Sequence, residues 1–317
     1  MAGPACARPR LGGRRRHRAQ PARTAQGRIR RTCPRPLADR GRGRRVSPDA
    51  QDDVALGARL GAGREAEVYA YGSATVLKLY RPGFGGHRAE ALALTALDGH
   101  GVAPKLAGVV DRAGRTGLLI ERVGGTDLLT VVQRQPWRVL SIARALAATH
   151  LAVHRVRAPA GLADLRASLA TRIGDAGLPP HLRDFVTGVL GTLPDGDRLC
   201  HGDYHPGNVL TAGDRATVID WGAASRGVPE ADHARTLLLL RWAEPLPGTP
   251  WPARTVIAAG RALLAGAYAA RYRRGADLRQ TRSWLIVHAA ARLSEGIDSE
   301  RDMLIGRLER ARRTGRI

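Results

Sequence analysis

His201-Gly202-Asp203-Tyr204-His205-Pro206-Gly207-Asn208, followed by Asp220 within Thr217-Val218-Ile219-Asp220-Trp221-Gly222, decides how this chain is read. Pro206 and Gly207 turn the first segment back on itself, so Asp203 and Asn208 point into one small volume. The apolar run Ala216 to Ile219 reads as a short strand that ends at Asp220. Phosphoryl transfer asks for such a set: a carboxylate beside the acceptor hydroxyl, oxygen ligands for Mg²⁺ and cationic groups on the phosphates.

The order and spacing match the catalytic loop of protein kinases, H-R-D-x-x-x-x-N followed by D-F-G, with Gly202 in place of the arginine and Trp221 in place of the phenylalanine. These departures resemble one branch of that fold. H-G-D-x-H-x-x-N followed by I-D-W is similar to the aminoglycoside phosphotransferase family, which includes antibiotic kinases and kinases of choline, homoserine and fructosamine. The family pattern is met at His201, Asp203, His205, Asn208 and Asp220. The resemblance covers nearly everything after residue 46. It implies an α+β, two-lobed protein kinase-like fold, with a small antiparallel-sheet N-lobe and a larger, mostly helical C-lobe. It also implies ATP and Mg²⁺ as cofactors.

Support for this reading comes from a lysine. Of 51 basic residues only Lys78 and Lys105 are lysine. Lys78 lies inside the apolar strand Ala74 to Tyr80, where a compact ammonium on a flexible stem meets phosphates differently from a planar guanidinium. It is the candidate for the α- and β-phosphates; read alone, it is equally a surface lysine on an edge strand. Ahead of it, Leu60 to Val68 resembles the kinase glycine-rich loop at Gly61, Gly63 and Val68, with Ala66 where a third glycine is usual. Glycines there let the backbone approach phosphates and take up strained angles.

Downstream, His87 to Leu97 has helical periodicity, with Leu92, Ala93, Thr95, Ala96 and Leu97 available to a core-facing stripe. Glu90 lies on its first turns. The family resemblance implies an ion pair with Lys78; the competing reading is an acid placed for the helix dipole. Gly117 to Gly125 is an apolar strand running into a glycine pair. In the kinase-like fold this is where the lobes are hinged, and Glu121, Arg122 and Val123 would line the adenine strip.

Beyond the hinge, Val139, Ile142, Ala143, Leu146, Thr149, His150 and Val153 recur at three- and four-residue steps as the core stripe of an amphipathic helix. His150 and His154 lie four apart, but no carboxylate or cysteine sits at ligand spacing, so they read as packing or surface residues. Asp232 matches the family's acidic residue that fixes the catalytic loop, against the alternative of a helix N-terminal carboxylate without that contact. Thr255 to Arg274 and Thr281 to Ala291 read as packed helices. Asp277, Glu295 and Asp298 are possible acceptor-site groups.

The expected organisation is a tail over 1–46, an N-lobe that binds nucleotide over 47–121, a hinge over 122–125 and a catalytic, acceptor-binding C-lobe over 126–317. The net charge of +23 is uneven: residues 1–46 hold fifteen arginines against one acid, Asp39. Such a segment, almost without large apolar residues, is expected to be disordered. It reads either as a polycation that makes non-specific contacts with nucleic acid or anionic membrane, or as a start of translation assigned too far upstream. It has no apolar segment of an export signal. Cys6, Cys33 and Cys200 have no paired spacing, so neither disulfides nor zinc are indicated; Cys200 reads as a small buried residue at a strand end.

A soluble, cytoplasmic kinase is therefore expected, with His201, Asp203 and Lys78 as catalytic residues. Asn208 and Asp220 are the metal ligands; Gly61, Gly63, Val68, Lys78, Glu90, Glu121 and Val123 surround the nucleotide. Its partner is a small hydroxylated acceptor, an antibiotic or a metabolite, with no membrane and no specific nucleic acid. A pseudokinase of the same fold is the alternative. A protein kinase is disfavoured because no A-P-E-like motif follows Asp220.

Overall fold

The computed structural model describes residues 56–242 and 251–317. The Arg-rich segment 1–46, with Cys6, Cys33 and both readings of it, lies outside the described residues.

The first half of the described chain is one antiparallel sheet with a single helix. β1 (Arg59–Ala62), β2 (Ala66–Tyr71), β3 (Thr75–Tyr80), β4 (Leu106–Arg112) and β5 (Arg115–Glu121) form one antiparallel sheet in the order β1-β2-β3-β5-β4. Successive side chains of a strand point to opposite faces. In β3 this sends Leu77 and Leu79 to a small outer cluster with Leu119, and leaves Lys78 and Tyr80 on the inner face. Lys78 stands in register between Val68 of β2 and Leu118 of β5. The helix α1 (Gly86–Ala96) follows β3 and buries Glu90, Ala93 and Leu94, with Leu97 just beyond its end. This corrects the expected stripe: Thr95 is exposed and bonds its hydroxyl to Ala91 O, while Leu94 takes the core position. Glu90 belongs to the buried stripe, which a search for apolar residues alone would pass over.

The second half is mostly helical. Its helices are α2 (Leu128–Arg134), α3 (Val139–Val153), α4 (Leu165–Asp175), α5 (Pro180–Gly191), α6 (Pro229–Trp242), α7 (Trp251–Arg273), α8 (Thr281–Arg292) and α9 (Asp298–Thr314). Asp127 and Asp164 cap α2 and α4 by accepting from the Thr130 and Ala167 amides, satisfying N–H groups the helices leave open. Every residue of the expected α3 stripe is buried. α6 is buried from Ala231 to Leu240 and α8 from Trp284 to Arg292, so these two helices run through the core. Among the described residues no helix is long and apolar enough to cross a membrane.

Short strands position the segment 201–208 between these halves. β6 (Thr126–Asp127) pairs with β8 (Val209–Ala212), which pairs with β9 (Arg215–Val218); β7 (Arg198–Cys200) pairs with β10 (Ser225–Gly227). The loop 201–208 therefore leaves β7 and enters β8, while Asp220 lies just past β9. Both are held by strands at their ends.

Candidate active site

The loop between β7 and β8 is shaped by its own side chains. His205 accepts the Gly207 amide on Nδ1 at 3.1 Å, and Asn208 N donates to His205 O at 2.9 Å, closing a short turn over Pro206–Asn208. Asn208 Nδ2 donates to Asp203 O at 3.0 Å. With its amide nitrogen so engaged, the acceptor that Asn208 has left is its oxygen. Gly202 has φ +80, and a Cβ there would stand 2.4 Å from Ala223 O. That is why glycine stands where protein kinases carry arginine.

Asp220 has φ +65, a left-handed conformation uncommon outside glycine. The turn is held from several sides. Ile219 N donates to Asn208 O at 3.0 Å, Trp221 N to Glu90 Oε1 at 3.3 Å, and the buried indole Nε1 of Trp221 to Val218 O at 3.0 Å. A tryptophan at this place supplies an N–H that a phenylalanine lacks.

Lys78 Nζ bridges the halves, 2.7 Å from Glu90 Oε2 and 2.8 Å from Asp220 Oδ1. Burial lowers the ammonium's pKa, yet Glu90 and Asp220 outweigh it and raise the value, so Lys78 is charged. Burial likewise raises the Asp220 carboxyl, and Lys78 brings it below its ordinary range. Glu90 also receives the hydroxyl of Tyr80, whose phenol is pushed up by burial and by that carboxylate. Tyr80 escaped the sequence reading; its signal is its position two residues after Lys78, on the same face of β3.

Asp203 is half exposed, with His205 Nε2 at 3.7 Å and Arg235 Nη2 at 3.9 Å from its carboxylate oxygens. Burial holds the His205 imidazole below its usual pKa, against the pull of Asp203. His201 is placed differently. Its ring is fully buried; Nε2 donates to Ile219 O at 3.0 Å and Nδ1 accepts from Asp203 N at 3.2 Å. Both partners have fixed roles, so the ring is the neutral Nε2–H tautomer and neither nitrogen is free for an acceptor.

Behind the loop, Asp232 is a hub. Its Oδ2 accepts from His201 N at 2.6 Å, and its Oδ1 accepts from Gly202 N at 2.9 Å. His150 Nε2 and His154 Nε2 also reach Oδ2, at 3.1 and 3.2 Å, and their Nδ1 atoms meet the hydroxyls of Tyr268 and Tyr272. Burial alone would raise the Asp232 carboxyl, but the hydrogen bonds from His150 and His154 hold it well below the usual range. The carboxylate missing from ligand spacing thus arrives from α6. The two histidines are buried, not on the surface, and Asp232 makes the loop contact the family resemblance implies. Cys200, fully buried at the end of β7, has its thiol pushed up by burial.

Asp203, Asn208, Asp220 and Lys78 face one cavity of about 910 Å³ between the sheet and the helical half. Glu90 lines it, as do Gly61, Gly63 and Val68 from the β1–β2 hairpin and Glu121 and Val123 from the end of β5. Gly61 and Gly63 have no left-handed φ and room for a Cβ, so the expected backbone strain is absent at both. His201 lies behind the wall. Glu295 and Arg292 also line the cavity; Asp277 and Asp298 do not. The oxygen donors Asp203, Asn208 and Asp220 beside a charged lysine suit a hard divalent cation and a polyphosphate.

A phosphotransferase enzyme family profile (APH) matches residues 57–285. Over 136 residues the chain is 35% identical to a hydroxyurea phosphotransferase of Kitasatospora aureofaciens, a match spanning 40% of this chain and 38% of the relative's length. A thermostable mutant of the aminoglycoside phosphotransferase APH(4)-Ia superposes with a TM-score of 0.61 at 17% identity, covering 84% of this chain and 97% of the other. A variant of it has been solved in ternary complex with ADP and hygromycin B. A choline/ethanolamine kinase family protein from Mesorhizobium loti superposes with a TM-score of 0.54 at 18% identity, covering 83% of this chain and 90% of the other. These likenesses are those of a protein kinase-like fold.

Proposed function

This chain belongs to the phosphotransferase enzyme family, and from that membership we propose that it is an ATP-dependent kinase of a small molecule's hydroxyl group. The observation that carries the reading is Lys78 Nζ, held between Glu90 and Asp220 in the cavity that Asp203 and Asn208 also line.

Mg·ATP, when bound, supplies the γ-phosphoryl group and the cation's charge on the phosphates. Asn208 and Asp220 offer the oxygens for Mg²⁺. Lys78 grips the phosphates and Glu90 holds its ammonium in place, with Tyr80 on the same carboxylate. Asp203 orients the acceptor hydroxyl and takes its proton as that oxygen bonds to the γ-phosphorus, while the bond from the γ-phosphorus to the β–γ bridging oxygen breaks and ADP leaves. His201 acts through Asp203 and Ile219 as a positioning residue. Residues 122–125 serve as the hinge between an N-lobe over 47–121 and a C-lobe from 126, and Glu121 and Val123 flank the adenine; their place on the cavity wall supports this.

The relative's name and the hygromycin B complex offer two precedents for an acceptor, a small hydroxylated compound and an antibiotic. A pseudokinase finds no support, since the lysine, the two aspartates and the asparagine all face the cavity. The test is acceptor-dependent ADP release from Mg·ATP. Asp203→Asn should lose about 10²- to 10⁴-fold in turnover, the usual worth of a positioned base, while nucleotide affinity stays nearly intact. Near-normal turnover in that variant would sink the assignment.

A further inference from the structure

Near Asp203 the cavity wall carries one arginine that is backed by two more. Arg292 on α8 lines the cavity; behind it stand Arg235 on α6 and Arg172 on α4. Glu295 ties the three together. Its Oε1 accepts from Arg172 Nη2 at 2.5 Å and Arg235 Nη2 at 2.8 Å, and its Oε2 from Arg292 Nη1 at 2.6 Å. Arg292 also grips the buried Glu300 through Nε and Nη2, at 2.8 and 3.0 Å. Three guanidiniums thus face two carboxylates, and both oxygens of Glu295 are engaged.

The other acids of the cavity are paired or lie away from this wall, Asp220 among the groups read above as holding the cation. Glu90 and Asp220 hold Lys78, Glu121 accepts the Lys105 amide, and Glu65 lies at the glycine-loop end beside Arg64. A polycation needs free carboxylates to replace the water around its ammonium groups. Among the described residues this wall offers none besides Asp203 itself, over which the Arg235 guanidinium already sits at 3.9 Å. What it does offer is hydrogen-bond donors: Arg292 has a further N–H on each terminal nitrogen beyond its bonds to Glu295 and Glu300. A planar fork of that kind matches carbonyl and carboxylate oxygens.

Building on the kinase reading above, we propose that the acceptor is a hydroxylated compound that presents carbonyl or carboxylate oxygens to this arginine wall, and is not a polycation. Arg292 is the specificity-determining contact, with Arg172 and Arg235 setting the charge behind it.

The experiment uses the full chain loaded with Mg·AMP-PNP, whose melting temperature is read against four pools at equal concentration: hydroxy acids such as glycerate and malate, the neutral carbonyl compound hydroxyurea, carbonyl-free polyols such as glycerol and inositol, and the aminoglycosides kanamycin and hygromycin B. ADP release from Mg·ATP is followed in parallel. Stabilisation and turnover should be confined to the first two pools, whose relative strengths tell carboxylate from carbonyl. Arg172→Gln, at a partly exposed position outside the cavity, should raise the acceptor KM about 5-fold with little change in kcat, the size expected for one charge removed near the site; a purely structural role would lower the melting temperature and leave KM alone. Equal or stronger response from aminoglycosides or carbonyl-free polyols overturns the proposal, as does silence from both carbonyl-bearing pools while Mg·AMP-PNP still stabilises the protein. Absence of stabilisation by Mg·AMP-PNP itself would remove the kinase reading first, and this inference with it.

Discussion

Behind the catalytic loop, Asp232 is 1% exposed and accepts from two main-chain amides and two imidazoles. In front of it, Asp220 has a side chain 56% exposed and, among the described residues, pairs with Lys78. Both are aspartates beside the same loop, yet one spends its whole hydrogen-bonding capacity on the fold and the other leaves most of it open. A buried carboxylate must be fully satisfied to be tolerated. An exposed one in a left-handed turn can be held by its backbone neighbours and leave its oxygens open.

The sharpest way to break that contrast is to alter each aspartate in turn. Asp220→Asn keeps a residue that tolerates φ +65 and should lower Mg-dependent nucleotide affinity by about 10²-fold, read by calorimetry, because the charge on the cation is lost; unchanged affinity would remove Asp220 from the metal. Asp232→Ala should instead cost about 3–5 kcal/mol of stability in a denaturant titration, the loss expected when a buried charge partner is deleted. A small stability change with a large turnover defect would make Asp232 part of the chemistry.

Acid should also act on the buried histidines of the helical half, among them His150 on α3 and His288 on α8. Burial lowers the imidazoles of His150 and His288 from 6.5 to about 3. The unfolded chain therefore takes up protons below about pH 6.5 that the folded chain refuses until about pH 3, so stability falls with pH across that window, by about 1.4 kcal/mol per pH unit and group. Asp232 and Asp220, whose folded values are depressed, contribute fully above the ordinary carboxylate pKa and lose their contribution only as pH falls through those lower values. Equal denaturation midpoints at pH 7.5 and pH 5 would refute the neutral burial of these histidines.

Two glycines sharpen the comparison at its low end. Gly202→Ala forces a Cβ against Ala223 O at a left-handed φ and should cost about 1–3 kcal/mol in thermal unfolding. Gly61→Ala, in the β1–β2 hairpin with nothing within 4 Å, should stay within about 0.5 kcal/mol. Equal losses would mean that the loop and the hairpin are under the same constraint.

The parts of the site that were legible in the sequence are those encoded by neighbours in the chain. The loop from His201 to Asn208, the strand around Lys78 and the α3 stripe each follow from local spacing, and the structure places them together. Glu90 was legible because its helix follows the lysine strand directly. Thr95 and Leu94 were exchanged because apolar periodicity cannot know that a glutamate fills a stripe position. The arginine wall had no such signal: Arg172 and Glu295 meet across 123 residues.

By itself, the sequence determined the order of the candidate site groups, the alternation that puts Lys78 opposite Leu77, and the glycine that the turn at position 202 requires, because each is a matter of local backbone geometry. Only the tertiary structure decided which charges are consumed and which remain available. His150 reaches Asp232 over 82 residues, and Lys78 reaches Asp220 over 142. The reason is electrostatic: the state and partners of an ionisable group are set by what burial takes away and what packing brings within hydrogen-bond reach, and neither is written in the residues beside it.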